Sequence, residues 1–171
     1  MLPPHKITIL QKNKDSNPST NIQLHHTLSH HSKTMKNSIF EKEEIFVCGF
    51  GSEVDTVKSN NAKSWLSLTP GGVDGVPVGM DGVNCGRVLV SVGSLSDELA
   101  TNVVAEVGRL KKVGSPIVIS CASGARASSV AWLYIAKKNG LSSDEVMKQA
   151  ESEAWISKPP LREWVRKNVG N

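Results

Sequence analysis

Pro116-Ile-Val-Ile-Ser-Cys121-Ala-Ser-Gly124-Ala-Arg126-Ala-Ser128 is the stretch on which the reading of this chain turns. Its first five residues are apolar or small and show no in–out alternation, the pattern of a strand buried on both faces. A short loop containing Gly124 follows, and then an alanine-rich run that predicts a helix from Ala127 to Lys138, closed by Asn139-Gly140. A cysteine opens the loop and an arginine closes it. Successive loop amides and the positive end of the following helix favour a thiolate at Cys121 and can hold an oxyanion over it. Gly124 can take a backbone angle other residues avoid, and the planar fork of Arg126 can grip two anion oxygens. The candidate anion-binding residues are therefore Ala122, Ser123, Gly124, Ala125, Arg126 and Ser128, with Cys121 as nucleophile.

Working outward, strands alternate with helices. Glu44–Cys48 reads as a first strand, and Ser52-Glu-Val-Asp55 has the spacing of a capping box opening a helix that ends near Asn60-Asn61. Lys63–Leu68 is a second strand, stopped by Thr69-Pro70-Gly71-Gly72. An irregular glycine-rich loop to Gly86 follows, with a short hairpin expected around residues 76–78. Arg87–Val92 reads as a third strand. Ser96 then caps a helix running to about Lys112, with Leu99, Val103, Val107 and Leu110 on one face and Gly114 at its end. Ser142-Ser-Asp-Glu145 is a capping box for a helix to about Trp155, and Pro159-Pro160 leads into a last helix, Leu161–Asn168. This order predicts an α/β fold with a central, mainly parallel sheet of four to five strands flanked by helices.

Composition sets limits on function. Of 20 Lys and Arg and 16 Asp and Glu, residues 1–40 hold five lysines and one acid; the 15 cations and 15 acids left in residues 41–171 cancel. The positive charge thus belongs to a polar N-terminal extension, expected to be disordered, and the domain that follows carries no basic signature of nucleic-acid binding. No apolar run approaches the roughly 20 residues that span a bilayer. Three cysteines, Cys48, Cys85 and Cys121, suit neither a disulfide framework nor a zinc site, so no metal or other cofactor is expected, and a reducing compartment is. The expected location is the cytoplasm, or an organelle if the acid-poor, hydroxyl-rich segment 1–40 is a transit peptide. All five histidines lie in that segment (His5, His25, His26, His30, His31), so residues 41–171 contain no Cys-His or Ser-His pair.

Cys121-Ala-Ser-Gly124-Ala-Arg126 resembles the signature loop of the cysteine-dependent phosphatases and of the rhodaneses. The wider layout over residues 41–156 resembles the phosphatase-like domain of beta-lactamase hydrolase-like proteins, a branch of the dual-specificity phosphatase fold. That resemblance implies a cysteine-dependent hydrolase acting on a small phosphorylated substrate, with Cys121 as nucleophile and Arg126 as clamp. It also implies a general acid from the loop after the third strand, where Asp97 is the first acid; Asp74 and Asp81 are weaker candidates. Two features depart from the phosphatase pattern. Four residues separate Cys121 from Arg126 where phosphatases of this fold have five, and Ser120 stands where they usually carry histidine. A loop of rhodanese length implies an alternative, sulfur transfer through a Cys121 persulfide from a small sulfur donor. A domain that binds an anion without turnover is a third reading.

Overall fold

The computed structural model describes residues 39–69, 77–153, 156 and 158–170. The expected polar extension therefore lies outside the described residues up to Ser38. The described residues open with a short helix, α1 (Ile39–Lys42), whose Phe40 is buried with its ring 5.0 Å from that of Trp132.

Four strands, β1 (Ile45–Cys48), β2 (Ser64–Ser67), β3 (Asn84–Arg87) and β4 (Ile117–Ser120), make one sheet in the order β1-β4-β2-β3, with every pair parallel. The connections are α2 (Glu53–Ser59) between β1 and β2, and α3 (Asp97–Val113) between β3 and β4. Beyond β4 come α4 (Ala125–Asn139), α5 (Ser143–Ser152) and α6 (Pro159–Asn168). This is the expected α/β architecture, at the lower end of the expected strand count.

The sheet is covered on both faces, as parallel sheets require. On one face Ile45, Val47, Leu66, Ile117 and Ile119 pack with Val103, Val107 and Leu110 of α3, Val130, Leu133 and Ile135 of α4, and Leu161 and Val165 of α6. On the other, a smaller cluster of Cys48, Trp65, Met80 and Val118 packs against Val57 of α2.

Local expectations fail at four places. The third strand is Asn84–Arg87, not Arg87–Val92. Its partners in β2 are fixed by the register Ser64↔Asn84 to Ser67↔Arg87, although Asn and Gly are poor strand formers. The apolar run after it still follows β2, with Val88 N–H bonded to Ser67 O and Val90 N–H to Leu68 O, and then turns into a 3-10 turn at Val92–Ser94. At α2 no capping box forms, because the Ser52 hydroxyl donates to Gly49 O at 2.9 Å instead of accepting from the helix. Helix α4 starts at Ala125, two residues early, which moves Arg126 into its first turn. Helix α5 ends at Ser152, short of Trp155, and α6 begins at Pro159. The hairpin expected near 76–78 falls partly outside the described residues.

Candidate active site

The site is built where β4 runs out. Trp65 on β2 donates its indole N–H to the buried hydroxyl of Ser120 at 2.9 Å, fixing the last residue of β4 to the neighbouring strand. Cys121 comes next, only 2% exposed, its N–H bonded to Cys48 O at the end of β1. The chain leaving β1 then folds over the loop. Phe50 N–H donates to Ala122 O, and Gly49 bridges to Ser123. A Cβ at position 49 would touch Ala122 O at ordinary contact distance, 3.4 Å, so the two loops lie closely packed there.

Gly124 is the pivot. It has φ +83, the left-handed region that favours glycine, and it serves as N-cap of α4 with no side chain to satisfy the helix's first amides. Its own N–H points back at the Cys121 sulfur, 3.2 Å away. A donor therefore stands where a thiolate needs one, and the free amides of the first turn of a fifteen-residue helix lie directly behind it.

Arg126 projects from that first turn and donates through Nη1 to Val90 O at 2.7 Å. The bond ties α4 to the segment after β3 and uses one of the guanidinium's five N–H donors. Ser128, expected among the anion ligands, is fully buried. Its hydroxyl donates to Gly124 O at 3.1 Å, so it braces the loop from inside the helix.

Asp97 is placed differently from the proton-donor role implied for it. It is exposed in the first turn of α3, paired with Lys167 at 3.0 Å and accepting from Asn168 at 3.3 Å, both on α6. The hydrogen bond from Lys167 holds its carboxyl below the ordinary value, which keeps it ionised; a general acid needs the opposite shift. Its neighbour Ser96 caps α3, accepting from Leu99 N–H at 3.1 Å. Asp81 lies exposed in a turn after Met80, and Asp74 is outside the described residues.

Cys48, at the end of β1, is buried in the smaller core cluster. Burial, reinforced by the nearby charges of Glu53 and Cys121, pushes its thiol up to about 12 against the hydrogen bonds offered by Thr56 and Ser52. It therefore stays a thiol near neutral pH. Cys85 on β3 is shifted upward too, by burial. All three cysteines are free, and among the described residues no cluster could hold a metal ion.

No family model and no curated protein matches the chain. Solved structures do. Human DUSP28 superposes with a TM-score of 0.59 at 14% identity, over 73% of this chain and 90% of that one. The fold is that of the dual-specificity phosphatases. The core catalytic domain of the PP-IP phosphatase SIW14 from S. cerevisiae gives 0.56 at 20% identity, over 71% and 78% of the two chains. A putative phosphatase (DUF442) from Shewanella putrefaciens gives 0.54 at 19%, over 73% and 83%. Within this dual-specificity phosphatase fold the Cys121 loop occupies the carboxyl edge of a parallel sheet, where α/β folds bind their ligands.

Proposed function

We propose that the protein is a cysteine-dependent phosphatase-like hydrolase acting on a small phosphorylated substrate, akin to the phosphatase-like domain of beta-lactamase hydrolase-like proteins. The observation that carries the reading is the contact of Gly124 N–H with Cys121 Sγ at the open start of α4. In this reading the sulfur, the amides at the start of α4 and the guanidinium of Arg126 together take the phosphoryl group.

In the reaction, the Cys121 thiolate attacks phosphorus and the P–O bond to the leaving group breaks, giving a cysteinyl-phosphate and an alkoxide or phenolate, which takes its proton from water. Water then attacks phosphorus, releases inorganic phosphate and returns the sulfur as thiolate. The amides of the loop and of the first turn of α4 hold the equatorial oxygens, and Arg126 neutralises charge as the bonds exchange. With Asp97 held as a carboxylate by Lys167, no described side chain of the loop supplies a proton to the leaving oxygen. Substrates whose leaving group departs unprotonated, such as phenols, are therefore favoured.

The sulfur-transfer alternative keeps the four-residue gap in its support, but the fold around that gap is the phosphatase one. The free thiols suit a reducing compartment, cytoplasmic or organellar. The test uses an aryl phosphate and, separately, thiosulfate with cyanide, on wild type and Cys121→Ser. Phosphate release falling at least about a thousandfold in the variant is the expected result. Thiocyanate formation without phosphate release would transfer the site to sulfur chemistry, and silence in both assays would leave an anion-binding domain.

A further inference from the structure

Resting on the proposed hydrolysis at Cys121, we infer that Trp65 is a positioning residue for the nucleophile: its indole, acting through the Ser120 hydroxyl, sets where the Cys121 sulfur stands. The first observation is the bond itself. The indole N–H donates to Ser120 Oγ at 2.9 Å, with both residues buried. Trp65 pairs with Val118 in the β2–β4 ladder, and Ser120 lies two residues further along β4. The indole therefore reaches forward past its own register partner, along the face where Trp65 and Val118 pack with Cys48, Val57 and Met80. In such apolar surroundings a hydroxyl and an indole N–H each need a partner. Among the described residues each is the other's one hydrogen-bond partner.

The second observation is where the bond acts. Ser120 ends β4 and immediately precedes Cys121. Its carbonyl accepts from Leu68 N–H at 2.9 Å, and the next amide, that of Cys121, reaches Cys48 O at 3.3 Å. The peptide that carries the sulfur is thus held by main-chain bonds to β2 and β1 and by one side chain, the indole. Attack in line with the leaving group needs the sulfur within about 0.5 Å of its productive place. Arg126 is fastened elsewhere, to Val90 O, and the α4 amides follow the Gly124 turn. The Trp65 bond therefore bears on the position of the sulfur and not on the grip on phosphate. Losing either partner leaves the other polar atom buried and unpaired, whereas losing both leaves none. Stability and chemistry should then respond differently to the same substitutions.

Full-length wild type, Trp65→Phe, Ser120→Ala and the double variant are compared. The readouts are kcat on an aryl phosphate, inhibition by inorganic phosphate, Tm, and the rate at which iodoacetamide alkylates Cys121, followed by peptide mass spectrometry. In all three variants kcat should fall about tenfold, with no further loss in the double, because a single bond is missing each time. Alkylation of Cys121 should slow about threefold or more in the same pattern, while inhibition by phosphate stays within about twofold. Tm should drop by about 5 °C in each single variant and recover in part in the double. Recovery of kcat and alkylation together with Tm in the double variant would make the pair purely structural and overturn the inference. So would single variants of lowered Tm with unchanged alkylation, or a loss of phosphate inhibition as large as the loss of kcat. Ser120→Ala keeps the tryptophan in its packing, so one variant remains decisive even where Trp65→Phe folds poorly. If alkylation follows the expected pattern but the wild type releases no phosphate from any ester, the hydrolytic reading falls and the positioning of Cys121 by Trp65 stands.

Discussion

Helices α4 and α5 follow one another along the chain, and their first turns are finished in opposite ways. At α5 the sequence closes its own amides. The Ser142 hydroxyl accepts from Glu145 N–H at 3.3 Å, and the Glu145 carboxylate takes the Ser142 N–H at 2.7 Å, a complete capping box. At α4 the N-cap is Gly124, which brings no side chain, and the donors are left open beside a sulfur. A helix start that serves only the fold satisfies itself; one held open next to a sulfur leaves its donors free for a group from outside, as the proposed function requires. Ser96 of α3 belongs with the first kind.

The sharpest way to break this contrast is to fill the open start. Gly124→Ala places a side chain at φ +83, costing about 1–2 kcal/mol of stability for the left-handed conformation. By tilting the loop it should lower phosphate release about a hundredfold. Thermal unfolding and steady-state rates would read the two effects separately, and an unchanged rate would show that the loop geometry is not what the chemistry uses.

The converse change is Ser142→Ala. It should cost about 1 kcal/mol and lower Tm by about 3 °C, with no change in turnover, because only the self-satisfied helix start is touched. A loss of activity there would blur the distinction between the two ends.

A smaller effect follows from the charge in the box. The backbone and hydroxyl of Ser142 hold the Glu145 carboxyl below its ordinary 4.5. A group depressed in the folded state contributes stability that is present above its ordinary pKa and lost as the pH falls through the lowered one. The contribution of the box should therefore persist at neutral pH and fade on acidification. Glu145→Gln should flatten that part of the pH–stability curve, measured by urea unfolding across the acid range.

The least effect is expected from Asp97→Asn. With the carboxylate serving the α3–α6 contact through Lys167, turnover should change by less than about twofold. A drop of a hundredfold or more, with loss of the acidic or basic limb of the rate profile, would restore Asp97 as proton donor.

How much of this was legible in the sequence depends on the kind of signal. Strands β1, β2 and β4 announce themselves as short apolar runs, and the buried face of α3 by its period, because burial alone dictates those residues. β3 was misplaced for the same reason. Val88-Leu-Val90 is the apolar segment, but the ladder itself is made by Asn84–Arg87, whose pairing is imposed by β2. The strand–loop–helix around Cys121 was legible because a buried apolar run, a glycine and an alanine-rich run follow one another there. The early start of α4 was not, since an alanine and an arginine behind a glycine carry no cap signal. Asp97 carries an ambiguity of another kind: an acid in a first helical turn looks the same whether it faces substrate or a lysine seventy residues on, and only the packing of α6 shows the lysine. Trp65, which steadies Ser120, gave no signal beyond being a core residue of its strand.

One further consequence lies in α1. Phe40 is wedged against Trp132 at the amino end of β1, whereas Cys121 sits at the carboxyl end of the sheet. The two poles are separated by the length of a strand, about 13 Å of extended chain. The α1 pole is thus a natural handle. Coupling the protein to a surface or a carrier through that helix would leave the mouth of the loop facing away from the support, and the rate of an immobilised sample should match that in solution.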